Sequence, residues 1–158
     1  MSQNNTIAAG KGIGSILFGM QKEDVHAILG EPTEKERDAY GDDTAEVIEN
    51  WHYDELELSL AFDEEEDGKL ITMATSSEEA TLNGKSLVGI EKEALKTLLK
   101  EQSVKDLEYE DWTEEDEPKH ELMYSAELEM NFWFNEDELT EIQMGPFFLD
   151  EDTINWPA

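Results

Sequence analysis

The chain has 158 residues, enough for one domain with a core, and 38 % of them are apolar and periodically spaced, which excludes a disordered chain. Against 11 Lys and Arg stand 41 Asp and Glu, a formal charge of −30. Such a field repels nucleic acid and anionic lipid and attracts a basic protein. No cysteine is present, which removes disulfides, thiolate catalysis and Cys-based zinc sites.

Residues 1–14 read as a loose lead-in broken by Gly10, Gly12 and Gly14. No Lys-Ser/Thr pair follows these glycines, so a phosphate-binding loop lacks its cation and hydroxyl. The lead-in has no apolar leader segment, and no run approaches the ~18–20 apolar residues of a membrane span. The expected protein is therefore soluble and cytoplasmic.

A short apolar run, Ile16-Leu17-Phe18-Gly19-Met20, precedes a helix predicted over 21–29. Val25, Ile28 and Leu29 fall on one helical face, and Gly30 and Pro32 supply the stop. Residues 37–44, with Gly41-Asp42, read as a loop. Trp51 and Tyr53 alternate with polar neighbours as a half-buried strand does, and Asp54-Glu55 allows a turn. Leu56, Leu58, Leu60 and Phe62 keep strict period two, residues 63–68 form an acidic hairpin loop, and 70–75 supply a third strand.

The second half repeats this order. Phe18-Gly19-Met20-Gln21-Lys22-Glu23-Asp24-Val25 returns as Val88-Gly89-Ile90-Glu91-Lys92-Glu93-Ala94-Leu95, 70 residues on. Ala94, Leu95, Leu98 and Leu99 mark a helix over about 91–100, and 104–118 read as a long acidic connection. Leu122 and Tyr124 align with Trp51 and Tyr53, Met130, Phe132 and Phe134 with Leu58, Leu60 and Phe62, and Ile142 and Met144 with Ile71 and Met73. The expected fold is α+β: a single domain over 1–158 made of tandem duplicated α-β-β-β units (about 12–80 and 84–146) and a tail over 147–158. The helices pack on one face of a continuous antiparallel sheet, leaving the other face open.

Gly19-Met20, Leu29-Gly30-x-Pro32, Trp51-x-Tyr53 and Phe62-Asp63 together resemble the SmpA/OmlA lipoprotein domain family. With the duplication, the chain also resembles the tandem β-lactamase inhibitor protein-like fold. Neither a leader nor an anchoring cysteine is seen in this chain. The resemblance implies a non-enzymatic scaffold that grips a partner protein on its sheet.

Catalytic and metal constellations are not expected. Asp63-Glu64-Glu65-Glu66-Asp67-Gly68 has the start of a calcium loop, but position 12 is Ala74, and the segment joins strands. His26, His52 and His120 have no ligand spacing, and no G-x-S-x-G elbow exists. No cofactor is expected.

Trp133 alternates out of the Phe132/Phe134 set onto the open face, where it serves either as a binding anchor or as a seat for the tail residues Phe147, Phe148, Leu149 and Trp156. Glu57, Ser59, Glu127, Glu129 and Asn131 are placed on the same face, and Trp112 in the acidic connection is a second anchor candidate. The favoured reading is a non-catalytic acidic module for a basic partner, of inhibitor or immunity type. The alternatives are a nucleic-acid mimic, with Glu127 and Glu129 in a row at sheet spacing, and a housekeeping protein whose acidity is adaptation to salt.

Overall fold

Two runs set the architecture. Leu58-Ser59-Leu60-Ala61-Phe62 and Met130-Asn131-Phe132-Trp133-Phe134 alternate at the period of a strand, so each lays one apolar row on a core. In the structure, a computed structural model describing residues 6–39, 47–82, 84–150 and 153–156, they are β6 (Leu58–Asp63) and β12 (Met130–Asn135). Each is the centre of a meander: β6 lies between β5 (Val47–Tyr53) and β7 (Lys69–Thr75), and β12 between β11 (His120–Ser125) and β13 (Glu138–Met144). β7 and β13 join through Met73↔Met144, Ala74↔Gln143 and Thr75↔Ile142, while β4 (Glu34–Ala39) and β10 (Leu107–Asp111) form the two edges. The eight-stranded antiparallel sheet, β10-β11-β12-β13-β7-β6-β5-β4, reads alike from either edge.

A second sheet has five short strands in the order β3-β2-β1-β8-β9: β1 (Thr6–Ala8), β2 (Gly12–Ile13), β3 (Ile16–Leu17), β8 (Thr81–Leu82) and β9 (Lys85–Ser86). β14 (Phe147–Phe148) pairs with β15 (Ile154–Asn155) in the tail. The α+β expectation is thus overturned. Strand takes nearly half of the described residues, and the helices α1 (Lys22–Leu29) and α2 (Lys92–Glu101) have only eight and ten residues. The core is not closed by helices laid over the sheet. Ile7, Ile13, Ile16 and Leu82 of the small sheet, with Phe18 and Leu87 beside it, join Leu60, Phe62, Phe132 and Phe134 in one buried cluster, to which the helices add Val25, Leu95 and Leu99.

The physical reason lies in segments that read as loops. Glu34-Lys35-Glu36-Arg37 and Leu107-Glu108-Tyr109-Glu110-Asp111 carry little apolar side chain, yet both are strands at sheet edges. An edge strand needs one ladder of backbone hydrogen bonds and no fully buried face, and its charges discourage further pairing. β10 therefore occupies part of the expected 104–118 connection, and β4 takes 37–39 of the expected loop; residues 40–44 of that loop lie outside the described residues. The lead-in is likewise strand from Thr6 onward. Gly12 is required there, because an added Cβ would fall on the Ile16 carbonyl oxygen across the hairpin. Gly12→Ala is expected to cost about 2–3 kcal/mol, read as a melting temperature lower by roughly 5–10 °C.

Register explains the remaining differences. Met123 pairs with Phe132 as Trp51 pairs with Leu60, so Met123 and Ser125 face the core and Leu122 and Tyr124 face outward, opposite to expectation. Both meanders carry a bulge at matching places, between Ala61/Phe62 and Trp133/Phe134. Beyond it Met73 corresponds to Ile142 and Leu70 to Leu139, 69 residues apart, rather than Ile71 to Ile142. Ile28 is 46 % exposed and Leu56 44 %, so neither belongs to the core rows assigned to it. Leu56 sits in the tight helical turn Asp54–Leu56 ahead of β6.

The candidate functional site on the open sheet face

Away from the core, the strand register places small and polar residues at the centre of the large sheet: Ser59 and Ala61 on β6, Thr72 and Ala74 on β7, and Gln143 on β13. Carboxylates flank them: Glu34 and Glu36 on β4, Glu141 on β13, and Glu108 and Glu110 on β10. Among the described residues none of these five has a lysine or arginine within ion-pair distance. Lys35 and Arg37 of β4 alternate to the other side, and the Lys69 ammonium lies 5.0 Å from the Trp156 ring.

Trp133 is on this face, paired with Leu122 and Glu141. Among the described residues the tail does not cover it. Trp156 packs against Gly19 and Phe147 against Gly10, over the lead-in. What meets Trp133 instead is Trp112, edge-on with ring centroids 5.7 Å apart, and the His120 ring at 5.3 Å. The β10–β11 hairpin brings them there. The Trp112 N–H donates to the His120 carbonyl at 2.8 Å, and the His120 N–H donates to the Thr113 hydroxyl at 2.9 Å. Beside this cluster lies a hollow of about 510 Å³ lined by Trp112, Glu114, Glu117, Pro118, His120, Asn135 and Thr140. Trp112 is 52 % exposed.

Two smaller hollows flank the seam between β7 and β13. One, of about 300 Å³, is lined by Thr72, Tyr124, Glu129, Asn131, Gln143, Met144 and Gly145. The other, of about 260 Å³, includes Tyr53, Glu57, Ser59, Ala74, Ser76 and Glu141. They are copies of each other: Glu57, Ser59, Ser76 and Glu141 occupy the places of Glu129, Asn131, Gly145 and Thr72. Glu57 and Glu129 share a left-handed backbone (φ 52° and 53°), and their carbonyls accept from Ser76 N–H and Gly145 N–H, each at 3.0 Å.

Of the residues singled out in the sequence, the structure brings Trp133 and Trp112 together and puts Asn131 and Glu129 in one hollow and Glu57 in its copy. Glu127 and Glu129 are not strand residues. Both lie in the turn between β11 and β12, where the exposed Glu127 donates its N–H to Asp106 at 2.6 Å. The carboxylate row at sheet spacing does not form. His120 and Tyr124 are not legible, because Leu122 and Tyr124 read as the inward row of β11; pairing Leu122 with Trp133 turns that row outward. Glu141 lies on β13, where the Ile142/Met144 alternation already turns it outward but nothing marks it as half-buried.

Burial without a cationic partner pushes the carboxyls of Glu141 and Glu129 above the ordinary glutamate value of 4.5. Others move the opposite way. Burial raises Glu49 and Asp106, but hydrogen bonds outweigh it, from the Trp51 indole and Lys22 to Glu49 and from Glu127 N–H and the Ser125 hydroxyl to Asp106, leaving both below their ordinary values. A raised carboxyl contributes stability below its unfolded value and loses it as pH rises through the folded value; a lowered one loses its contribution as pH falls. Thermal stability is therefore expected to rise as pH falls from 7 toward about 5 and to drop below about 4. Glu141→Gln is expected to raise the melting temperature at pH 7 by a few degrees, roughly 2–4 °C, and to change it little at pH 4.5. Melts across pH on both proteins check this, and an equal gain at both pH values would refute it.

No known protein family, curated protein or solved structure matches the chain. Among the described residues no helix is long and apolar enough to cross a membrane.

Proposed function

We propose that this chain is a non-catalytic binding module of the cytoplasm, which receives a basic protein on the open face of its large sheet. A lysine or arginine side chain of the partner enters the hollow beside Trp112, Trp133 and His120. The observation that carries this reading is the convergence of two tryptophans, distant in sequence, beside the carboxylates of Glu114 and Glu117. Neither carboxylate has an ion pair among the described residues. An aromatic wall with an acidic rim is the chemistry that holds a cation, each ring contact being worth about 0.5–2 kcal/mol. The large acidic field speeds the encounter. The implied likeness to the tandem inhibitor scaffold and to the SmpA/OmlA domain points the same way, toward an inhibitor or immunity-type role. The nucleic-acid-mimic reading loses Glu127 and Glu129, which lie in a turn, and would rest instead on Glu34 and Glu36 of β4 and Glu108 and Glu110 of β10; the tryptophan pair favours a protein partner.

The test is affinity capture from native lysate on wild type and on Trp133→Ala, at low and at physiological salt, with retained proteins identified by mass. The expected result is a basic protein held by wild type, weakened by added salt and absent from the variant. Identical protein sets on both, or no protein at either salt, would overturn the reading.

A further inference from the structure

Lys92, Lys96, Lys100 and Lys105 make up four of the 11 cations of this chain and fall within a single short segment. The first three follow one another at i, i+4 along α2 and so share a side of the helix. They meet β10 on the side of the sheet opposite the open face, since Tyr109 pairs with the core-facing Met123 and Leu107 with Ser125. The Lys96 and Lys92 ammoniums stand 4.8 Å and 5.6 Å from the Tyr109 ring centroid. Lys92 is also paired with Glu121 at 3.1 Å, and Lys96 with Glu93 at 3.3 Å. Lys100 and Lys105 have no carboxylate within ion-pair distance among the described residues. In a chain with 41 carboxylates, two neighbouring unmatched ammoniums are unexpected.

They border a groove of about 530 Å³ between α2 and β10, whose lining also holds Glu93, its charge taken up by Lys96; the volume is within the size range of small-molecule sites. Its floor is apolar: Val104 is buried, Leu107 half-buried, and Tyr109 47 % exposed. The duplication supplies an internal control. In the first half the places of Lys96 and Lys100 are held by His26 and Gly30, 70 residues earlier. The place of Tyr109, facing the counterpart of Met123, is held by Lys35 opposite Trp51. The cationic groove with an aromatic floor is thus a property of the second half alone, and the fold does not require it.

We infer that this groove binds a small amphipathic anion, a carboxylate or phosphate head on an aryl or alkyl body. The head lies among the ammoniums of Lys96, Lys100 and Lys105, and the body lies on Tyr109, Leu107 and Val104. Lysines recognise charge rather than shape, so either head fits. A chain of charge −30 repels anions elsewhere on its surface, so saturable anion binding is diagnostic of this groove.

The experiment is an amide NMR titration of the full chain at about 0.15 M salt. The probes are 1-naphthoate, the neutral 1-naphthalenemethanol, and inorganic phosphate. The expected result is saturable shifts from 1-naphthoate confined to Thr97, Val104, Leu107, Tyr109 and their neighbours, with the other two probes weaker by about fivefold or more. The double variant Lys100→Gln, Lys105→Gln is expected to lose about fivefold in naphthoate affinity at a melting temperature within a few degrees of wild type, because neither ammonium has an ion-pair partner among the described residues and Lys100 has only the last turn of α2 to stabilise. Equal binding of the neutral probe would reduce the site to an apolar patch and overturn the inference. Equal binding of phosphate would remove the role of the floor and do the same. Groove shifts that depend on protein concentration without any probe would assign the groove to a second copy of the chain, and no saturable shift would remove the site.

Discussion

Trp133→Ala is expected to weaken binding of the proposed basic partner by about 30-fold or more, the scale of an interface hot spot, while lowering the melting temperature by only a few degrees. The two effects separate because Trp133 points away from the core. Its ring meets Trp112 and His120, not the buried cluster, so truncation removes the support behind two residues that line the hollow and leaves the packing beneath intact. Trp133→Phe keeps an aromatic face and is expected to recover part of the loss. Trp112→Ala should weaken binding as well, since the more exposed ring has fewer protein contacts to replace the partner. A binding isotherm with the captured partner and a thermal melt on each variant decide the matter. Wild-type affinity in both alanine variants would place the partner elsewhere on the molecule.

The outward placement of Trp133 was legible because strict alternation in Phe132-Trp133-Phe134 leaves one face for the middle residue. Its neighbour was not. Trp112 follows Leu107-Glu108-Tyr109-Glu110-Asp111, which has the period of a strand but only two apolar side chains. An acidic segment of that kind forms a strand because a sheet edge is waiting for it, and that edge is built by β11 and β12, far along the chain. The same applies to β4. Glu57 and Glu129 were placed on strands, yet each sits just before its strand in a left-handed conformation that glutamate rarely adopts, and no glycine or asparagine announces it.

The duplication was legible over the block near Phe18 and Val88, where spacing and residue type agree. It failed at β13 because turn lengths differ between the halves. The β6–β7 connection has residues 64–68, whereas β12 and β13 are joined by Glu136-Asp137 alone, both with positive φ (52° and 70°), as a two-residue hairpin demands. Nothing in Glu-Asp signals such a turn. The offset therefore falls from 72 to 69 across it, and the apparent match of Ile71 with Ile142 pairs a bulge residue with a core residue. The strength of the two helical patterns also exceeded their share of the fold, since each helix donates one or two fully buried side chains.

Phe132→Ala, one residue from Trp133, is expected to give the opposite outcome: a loss of about 3–5 kcal/mol in stability. Phe132 is fully buried on the centre strand of the second meander, paired with Met123 on one side and Ile142 on the other. Neighbours on both flanks are held in ladders, so the site cannot collapse to fill the space, which puts the cost toward the top of the range. Against a typical total of about 5–15 kcal/mol, this is a large part of the stability of a chain already strained by its own charge. Denaturant melts should show a lower midpoint at an unchanged slope. Added salt should restore part of the loss, because screening relieves the repulsion among 41 carboxylates without touching the cavity. The adjacent pair thus reads out the two sides of one strand. If Trp133→Ala destabilised the chain as much as Phe132→Ala, the face assigned to the partner would instead be packed against the protein itself.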